Sequence, residues 1–310
     1  MREKVRAVID IGTNSVRLMV LAESGDTVRV LGRMIKVTSL GKGLSERNIL
    51  LPPAMERTIE TLEEMLLYAE ELNTHNVTAV ATSAVREAEN GVYFADEIER
   101  RTGLIVTVIS GSREAFLSHR GAAVSLGIAP DELVVFDIGG GSTEIVQKKS
   151  NTLSTNSYAV GVVKLKERFK IAESCDSSKV KEIEDYLKEV FYDLLALYDH
   201  QQLAGVGGTV TSLAAIEKRL KDYSPRIIHE TKLSRSQVSA LKNYLTNTTL
   251  KQRQNIPGLM PERADVIVAG VILTDFLLSS LGAGSFIVSE GDLMLGLMAS
   301  PKSKIIFGND

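Results

Sequence analysis

A chain of 310 residues is about right for two domains of roughly 150 each. With 44% hydrophobic and 24% charged residues it has apolar material for two cores, which excludes a disordered chain. The net charge of −3 excludes bulk attraction to nucleic acid or an acidic membrane, so any polyanion must be held by local basic residues.

The lone Cys175 excludes an intramolecular disulfide and a cysteine metal cluster, and fits a reducing compartment. Met1-Arg2-Glu3-Lys4 runs directly into Val5 to Ile9, too short a run for an export signal, so a cytoplasmic protein is expected. In chain order, Val5 to Asp10 reads as a buried strand, Gly12 to Ser15 as a tight turn, and Val16 to Ala22 and Thr27 to Ile35 as two more strands. Pro52 and Pro53 open a long helix ending near Asn73. A strand over 77–82, a helix over 88–102, a strand over 105–109 and a helix over 114–126 follow. The opening pattern then returns: Val8-Ile9-Asp10-Ile11-Gly12-Thr13-Asn14-Ser15 is echoed by Val135-Phe136-Asp137-Ile138-Gly139-Gly140-Gly141-Ser142. Repetition at that spacing means duplicated domains rather than a solenoid. Beyond Thr143 to Gln147 the pattern predicts helices over 180–199, 209–219, 234–246, 261–281 and 292–299, with strands over 202–206 and 286–288. The apolar stretch Val266 to Leu281 is interrupted by Asp275 and is too short to span a bilayer, so a buried helix is expected there. Strands alternating with helices predict an α/β fold whose two domains meet near residues 112–130 around a cleft.

Four segments can carry chemistry. In Asp10 to Ser15, a strand ending in Asp enters a turn whose successive N–H groups can cradle an anion, with Asn14 and Ser15 as side-chain donors. The same residues also make an ordinary hairpin turn. In Asp137 to Glu144, three consecutive glycines point to close backbone approach by a ligand. The bracketing acids suit a hard divalent cation shared with phosphate oxygens. Gly205-Val206-Gly207-Gly208-Thr209-Val210-Thr211 is strand, glycine turn and helix start, suited to an anion or to a plain N-cap. Arg86, in Ala81-Thr82-Ser83-Ala84-Val85-Arg86, offers a guanidinium fork for phosphate or for a surface ion pair. His75, His119, His200 and His229 show no zinc spacing or nucleophile pairing and read as structural. No P-loop pattern is present.

Taken together, the two Asp-Ile-Gly loops and the Gly-Gly-Thr turn resemble the actin, heat-shock chaperone and sugar kinase superfamily. The segments 10–17, 81–86, 109–115, 137–144 and 205–211, in that order, resemble the exopolyphosphatase / guanosine pentaphosphate phosphohydrolase family. The resemblance implies two ribonuclease-H-like domains with mixed five-stranded sheets flanked by helices, over 1–118 and 119–297, with a last helix at 298–310 rejoining the first. It implies an active site in the interdomain cleft that releases terminal orthophosphate from inorganic polyphosphate by Mg²⁺-dependent water attack. Glu114 takes the place of the residue acting on the water, and Asp10, Asp137 and Glu144 those serving the metal. Thr13, Asn14, Ser15, Arg17, Arg86, Gly139, Gly140, Gly141, Ser142, Thr143, Gly207, Gly208, Thr209 and Arg263 take phosphate-binding places. The alternatives are a pppGpp 5′-phosphohydrolase, a sugar-kinase-like phosphotransferase and a non-catalytic phosphate or nucleotide sensor. The expected partners are polyphosphate or guanosine polyphosphate and a second copy in a homodimer, with no nucleic acid or membrane. Where the family commonly has Ser-Asp-x-x-Leu-Arg-Glu-Gly, residues 289–296 place Met294 and Leu295 in the charged pair's positions, which predicts fewer polar interdomain contacts. The longer members' C-terminal helical region has no counterpart before residue 310, which favours short substrates.

Overall fold

The computed structural model describes residues 3–149, 152–194, 201–300 and 302–307. The first layer system contains β1 (Lys4–Ile11), β2 (Ser15–Ser24), β3 (Thr27–Val37), α1 (Leu44–Arg47), α2 (Pro52–Glu71), β4 (Val77–Ala81), α3 (Ser83–Glu87), α4 (Gly91–Thr102), β5 (Val106–Val108) and α5 (Gly111–Leu126). The second contains β6 (Leu133–Ile138), β7 (Thr143–Lys149), β8 (Thr152–Tyr158), α6 (Val162–Arg168), α7 (Ser177–Val190), β9 (Gln202–Val206), α8 (Gly208–Glu217), α9 (Pro225–Ile228), β10 (Lys232–Ser234), α10 (Arg235–Thr246), α11 (Leu250–Arg253), α12 (Ile267–Ser280) and β11 (Ser285–Val288). The chain then returns through α13 (Leu293–Met298) to β12 (Lys304–Ile306).

The expected duplication is present at the level of register. Strands β1 and β2 pair antiparallel with Asp10 opposite Arg17, and β6 and β7 do the same with Asp137 opposite Glu144. Each turn closes with an equivalent bond: Gly12 N–H donates to Ser15 O at 3.1 Å, and Gly139 N–H to Ser142 O at 3.0 Å. A third strand then pairs antiparallel with the second, β3 beside β2 and β8 beside β7, and the fourth runs parallel to the first, β4 beside β1 and β9 beside β6.

Each sheet has six strands, not the expected five, in the orders β12-β3-β2-β1-β4-β5 and β10-β11-β9-β6-β7-β8. The additional edge strands β12 and β10 are three residues each, too short to leave a readable alternation. The expected last helix over 298–310 is also corrected: Met298 ends α13, and Lys304–Ile306 pairs with β3 as parallel strand β12. Strand β8 carries no readable apolar alternation, because Thr-Leu-Ser-Thr-Asn-Ser-Tyr is mostly polar. The helix expected over 88–102 is α4, starting at Gly91, and the separate short helix α3 precedes it. Gly91 packs so tightly on the Val85 carbonyl that a Cβ would lie 2.0 Å from its oxygen. The helix expected over 261–281 is a 3₁₀ turn at Pro261–Arg263 followed by α12, and the helix expected over 180–199 is α7, with 195–199 outside the described residues.

Helix α12 is buried from Ile267 to Leu278, as its apolar run predicts. Its Asp275 is paired with Lys242 Nζ at 2.5 Å and accepts from Ser239 at 2.6 Å, so the buried charge is compensated. No helix among the described residues is long and apolar enough to cross a membrane. Arg253 is fully buried and donates to four backbone carbonyls: Ala264 at 2.8 Å, Thr248 at 2.5 Å, Glu173 at 3.1 Å and Ala172 at 3.2 Å.

Helices α5 and α13 carry the chain between the sheets and pack on one another through glycine. A Cβ on Gly121 would lie 1.9 Å from Asp292 O, and one on Gly296 would lie 2.0 Å from Leu117 O. Met294 and Leu295, in place of a charged pair, are buried with Val8, Met19, Leu21 and Leu117 against the first sheet. Apolar side chains are what that location requires. Polar contacts between the halves persist nearby, where Arg33 Nη1 meets Glu290 Oε2 at 2.5 Å and Arg17 meets Asp292.

Candidate active site

The two glycine turns face one another across a cleft enclosing about 810 Å³ including its mouth. They come into contact at its floor: a Cβ on Gly140 would be 2.9 Å from Thr13 Cβ, and one on Gly141 would be 2.4 Å from Ser83 Oγ. A side chain at either position would collide with the facing segment, so glycine there is what lets the two loops approach. Gly207, at φ 89°, turns the chain from β9 into α8, whose N-terminus opens on the cleft.

Asp10, Thr13, Asn14, Ser15, Arg17, Glu114, Asp137, Gly139, Gly140, Gly141, Ser142, Gly207, Gly208, Thr209 and Arg263 all line this cleft. Three expected residues do not. Thr143 is fully buried and its hydroxyl donates to Val160 O at 2.6 Å, away from the cleft. Glu144 lies beneath the glycine loop, 1% exposed. Arg86 stands behind Glu114, donating from Nη1 to Glu114 Oε2 at 3.1 Å and to Ile109 O at 2.8 Å. Thr82, Ser83 and Ser212 also line the cleft and were not singled out in the sequence, although Thr82 and Ser83 fall within the Arg86 segment. Their position at the end of β4, opposite a glycine loop, was the available signal.

Glu114 is in the first turn of α5, which Ser110 caps by accepting from Arg113 N–H at 3.2 Å. Burial pushes the Glu114 carboxyl up to about 8, against the opposing pull of Arg86 and with the charges of Asp10 and Asp137 adding to the rise. Burial likewise raises Asp137 to about 6, opposed by Arg17 and by the Ser118 hydroxyl that donates to its Oδ2 at 2.7 Å. Glu144 is raised well above the usual carboxylate range by burial, then by the nearby Glu114 and Asp137. Asp10 is raised by burial even though Arg17 donates to its Oδ2 from Nε at 3.0 Å and from Nη2 at 2.5 Å. Arg17 is also bound to Asp292, the N-cap of α13, so one guanidinium joins β1, β2 and the returning helix. Burial works against the Arg17 charge, and Asp292 and Asp10 more than restore it. Arg263 covers the Gly208 turn, donating to Gly208 O at 2.8 Å and Ser212 Oγ at 3.3 Å, and burial lowers its proton affinity.

Of the histidines, His119 bonds Leu133 O at 3.1 Å and His229 bonds Ser125 O at 3.2 Å, both structural contacts, while His200 lies outside the described residues. Cys175 is buried and free.

This arrangement has backbone and side-chain donors to hold an anion from two sides, with Glu114 beside it. Comparison with known proteins gives the family. A model of the Ppx/GppA phosphatase family matches residues 19–303. Exopolyphosphatase 2 of Mycobacterium tuberculosis is 32% identical over 95% of this chain and 97% of its own length. A bifunctional 3-dehydroquinate synthase/phosphatase of Fusobacterium nucleatum is 30% identical over 94% of this chain, which spans only 46% of that relative. The crystal structure of the Aquifex aeolicus Ppx/GppA family member is 30% identical, with a TM-score of 0.80 over 96% of this chain and 97% of that one. An exopolyphosphatase structure from Cytophaga hutchinsonii is 27% identical with a TM-score of 0.86, over 95% of this chain and 96% of that one. The chain belongs to the Ppx/GppA phosphatase family of phosphoanhydride hydrolases.

Proposed function

We propose that the chain is a cytoplasmic exopolyphosphatase that releases terminal orthophosphate from inorganic polyphosphate by attack of water. The observation that carries this reading is Glu114, a single carboxylate braced by Arg86 and facing two loops shaped for phosphate. Phosphoryl transfer to water needs positioning and charge neutralisation more than a strong base. Loop amides of 13–15 and 140–142 and the N-terminus of α8 hold the substrate's oxygens. Glu114 orients the water, and Arg86, behind it, holds that carboxylate in place.

The site fits Mg²⁺. Asp10, Asp137 and Glu144 are hard oxygen donors, and Asp10 Oδ1 and Glu144 Oε2 are buried with no hydrogen-bond partner among the described residues. No group of three His, Cys, Asp or Glu ready to hold a metal is present among the described residues. That suits an ion that usually takes one or two carboxylates and completes its shell with water and substrate phosphate. Bound there, Mg²⁺ would supply neutralisation of phosphate charge.

The test is phosphate release from tripolyphosphate, long polyphosphate, pppGpp and ATP with Mg²⁺, in wild type and Glu114→Gln. Release from polyphosphate that disappears in the folded variant is expected. Release from pppGpp alone would replace the substrate, and near-normal turnover by Glu114→Gln would remove the role given to that carboxylate. Assembly as a homodimer, checked by light scattering, belongs to the same proposal.

A further inference from the structure

Asp137 and Glu144 are opposite one another across β6 and β7, and each is held in the same manner by a serine outside the glycine-loop motif. Ser118 Oγ donates to Asp137 Oδ2 at 2.7 Å, and Ser157 Oγ donates to Glu144 Oε1 at 2.8 Å. Ser118 is four residues beyond Glu114 on α5, so it lies on the same helix face one turn further on. Ser157 is on β8, in register with Glu144, and packs on the first residue of the same helix: a Cβ on Gly111 would be 2.4 Å from Ser157 Oγ. Neither serine lines the cleft. In both acids the serine takes one oxygen and leaves the other clear. Asp137 Oδ1 faces the Gly207 turn, where a Cβ would be 2.6 Å away, and Glu144 Oε2 is buried without a partner among the described residues.

We propose that Ser118 and Ser157 are positioning residues that lock one oxygen of each loop-bracketing acid, so that the other oxygen is presented at a fixed distance from Glu114. This rests on the Mg²⁺-assisted hydrolysis proposed above. A carboxylate can rotate about its last bond and exchange its oxygens, and a hydroxyl donor on one oxygen stops that rotation. Both donors are anchored to α5, one by residing on it and one by packing against it. The helix that carries the water-orienting group therefore also sets where the two acids point.

The experiment titrates full-length protein with Mn²⁺ in the presence of inorganic phosphate, read by electron paramagnetic resonance. Wild type is compared with Ser118→Ala, Ser157→Ala, Ser118→Thr and Ser157→Thr, alongside phosphate release from tripolyphosphate and from pppGpp. Each alanine variant is expected to weaken Mn²⁺ binding about tenfold or more, with the threonine variants, which keep the hydroxyl, restored to within about threefold. Alanine variants that bind Mn²⁺ within about twofold of wild type overturn the inference, as does weakening that threonine fails to rescue at either position. Serine-dependent Mn²⁺ binding with release from pppGpp alone overturns the polyphosphate substrate and leaves the serines' role standing. A wild type that binds no Mn²⁺ overturns both.

Discussion

Replacing Glu114 by glutamine is expected to stabilise the protein above neutral pH and to leave its stability in acid unchanged. Glu114 is 9% exposed, and burial lifts its carboxyl from 4.5 to about 8. Between those values the folded chain holds a proton that the unfolded chain has lost. Stability is therefore full below the unfolded value, falls as pH rises, and is lost once pH passes the folded value. The interval is about 3.5 pH units, and at about 1.4 kcal/mol per unit it sets a ceiling of about 5 kcal/mol on the destabilisation at pH 9. Glutamine has the shape of the protonated acid and cannot ionise, so the variant lacks this slope; Asp10, Asp137 and Glu144 still titrate, and Glu144 does so without the Glu114 charge that raises it, which acts in the same direction. An unfolding entropy of about 2.1 cal/mol/K per residue makes each kcal/mol worth about 1.5 °C here, so the variant should melt up to about 7 °C above wild type at pH 9. The assay is calorimetric Tm at half-unit pH steps from 5 to 9 in chelator. A Tm difference that stays constant across that range, or a variant that melts lower at pH 9, would refute the burial argument.

Arg86→Lys keeps the charge beside Glu114 but moves the donor, since one guanidinium nitrogen, Nη1, reaches both Glu114 and Ile109. Phosphate release should fall about tenfold or more with little change in Tm, and an unchanged kcat would show that the guanidinium's placement of that donor is not needed. Gly296→Ala places a methyl 2.0 Å from Leu117 O, so α5 and α13 must separate, and urea titration should show a loss of about 1–3 kcal/mol. A change below about 0.5 kcal/mol would mean the helices part freely. Arg253→Met keeps the volume and removes donors to four buried carbonyls, for an expected loss of about 3–5 kcal/mol by the same titration, and a neutral result would mean water satisfies those oxygens.

Both glycine turns were legible because glycine spacing after an apolar strand is a local signal, and the structure returns them with matching registers at Asp10–Arg17 and Asp137–Glu144. The buried α12 was legible for the same reason, since every turn of it is apolar. Strand β8 was not, because its stability comes from pairing with β7 rather than from its own polar residues. The union of Arg17 with Asp292 spans the whole fold and leaves no trace in either segment. Ser118 and Ser157 read as ordinary polar residues until α5 and β8 carry them to the two acids. Thr143 shows the opposite error: its place in the motif suggested the cleft, but strand alternation turns its hydroxyl to Val160 O.

The chain passes between its two sheets twice, out along α5 and back along α13, and the two passages lie against each other through Gly121 and Gly296. A single covalent connection would act as a ball joint, leaving the halves free to swing and twist in any direction. Two connections side by side act as the paired pins of a door. They allow one rotation about a line through the helix pair and resist the others. Any opening of the cleft would therefore carry Thr13 away from Gly140 along one arc, and a protease nick in either connection would still leave the halves joined by the other.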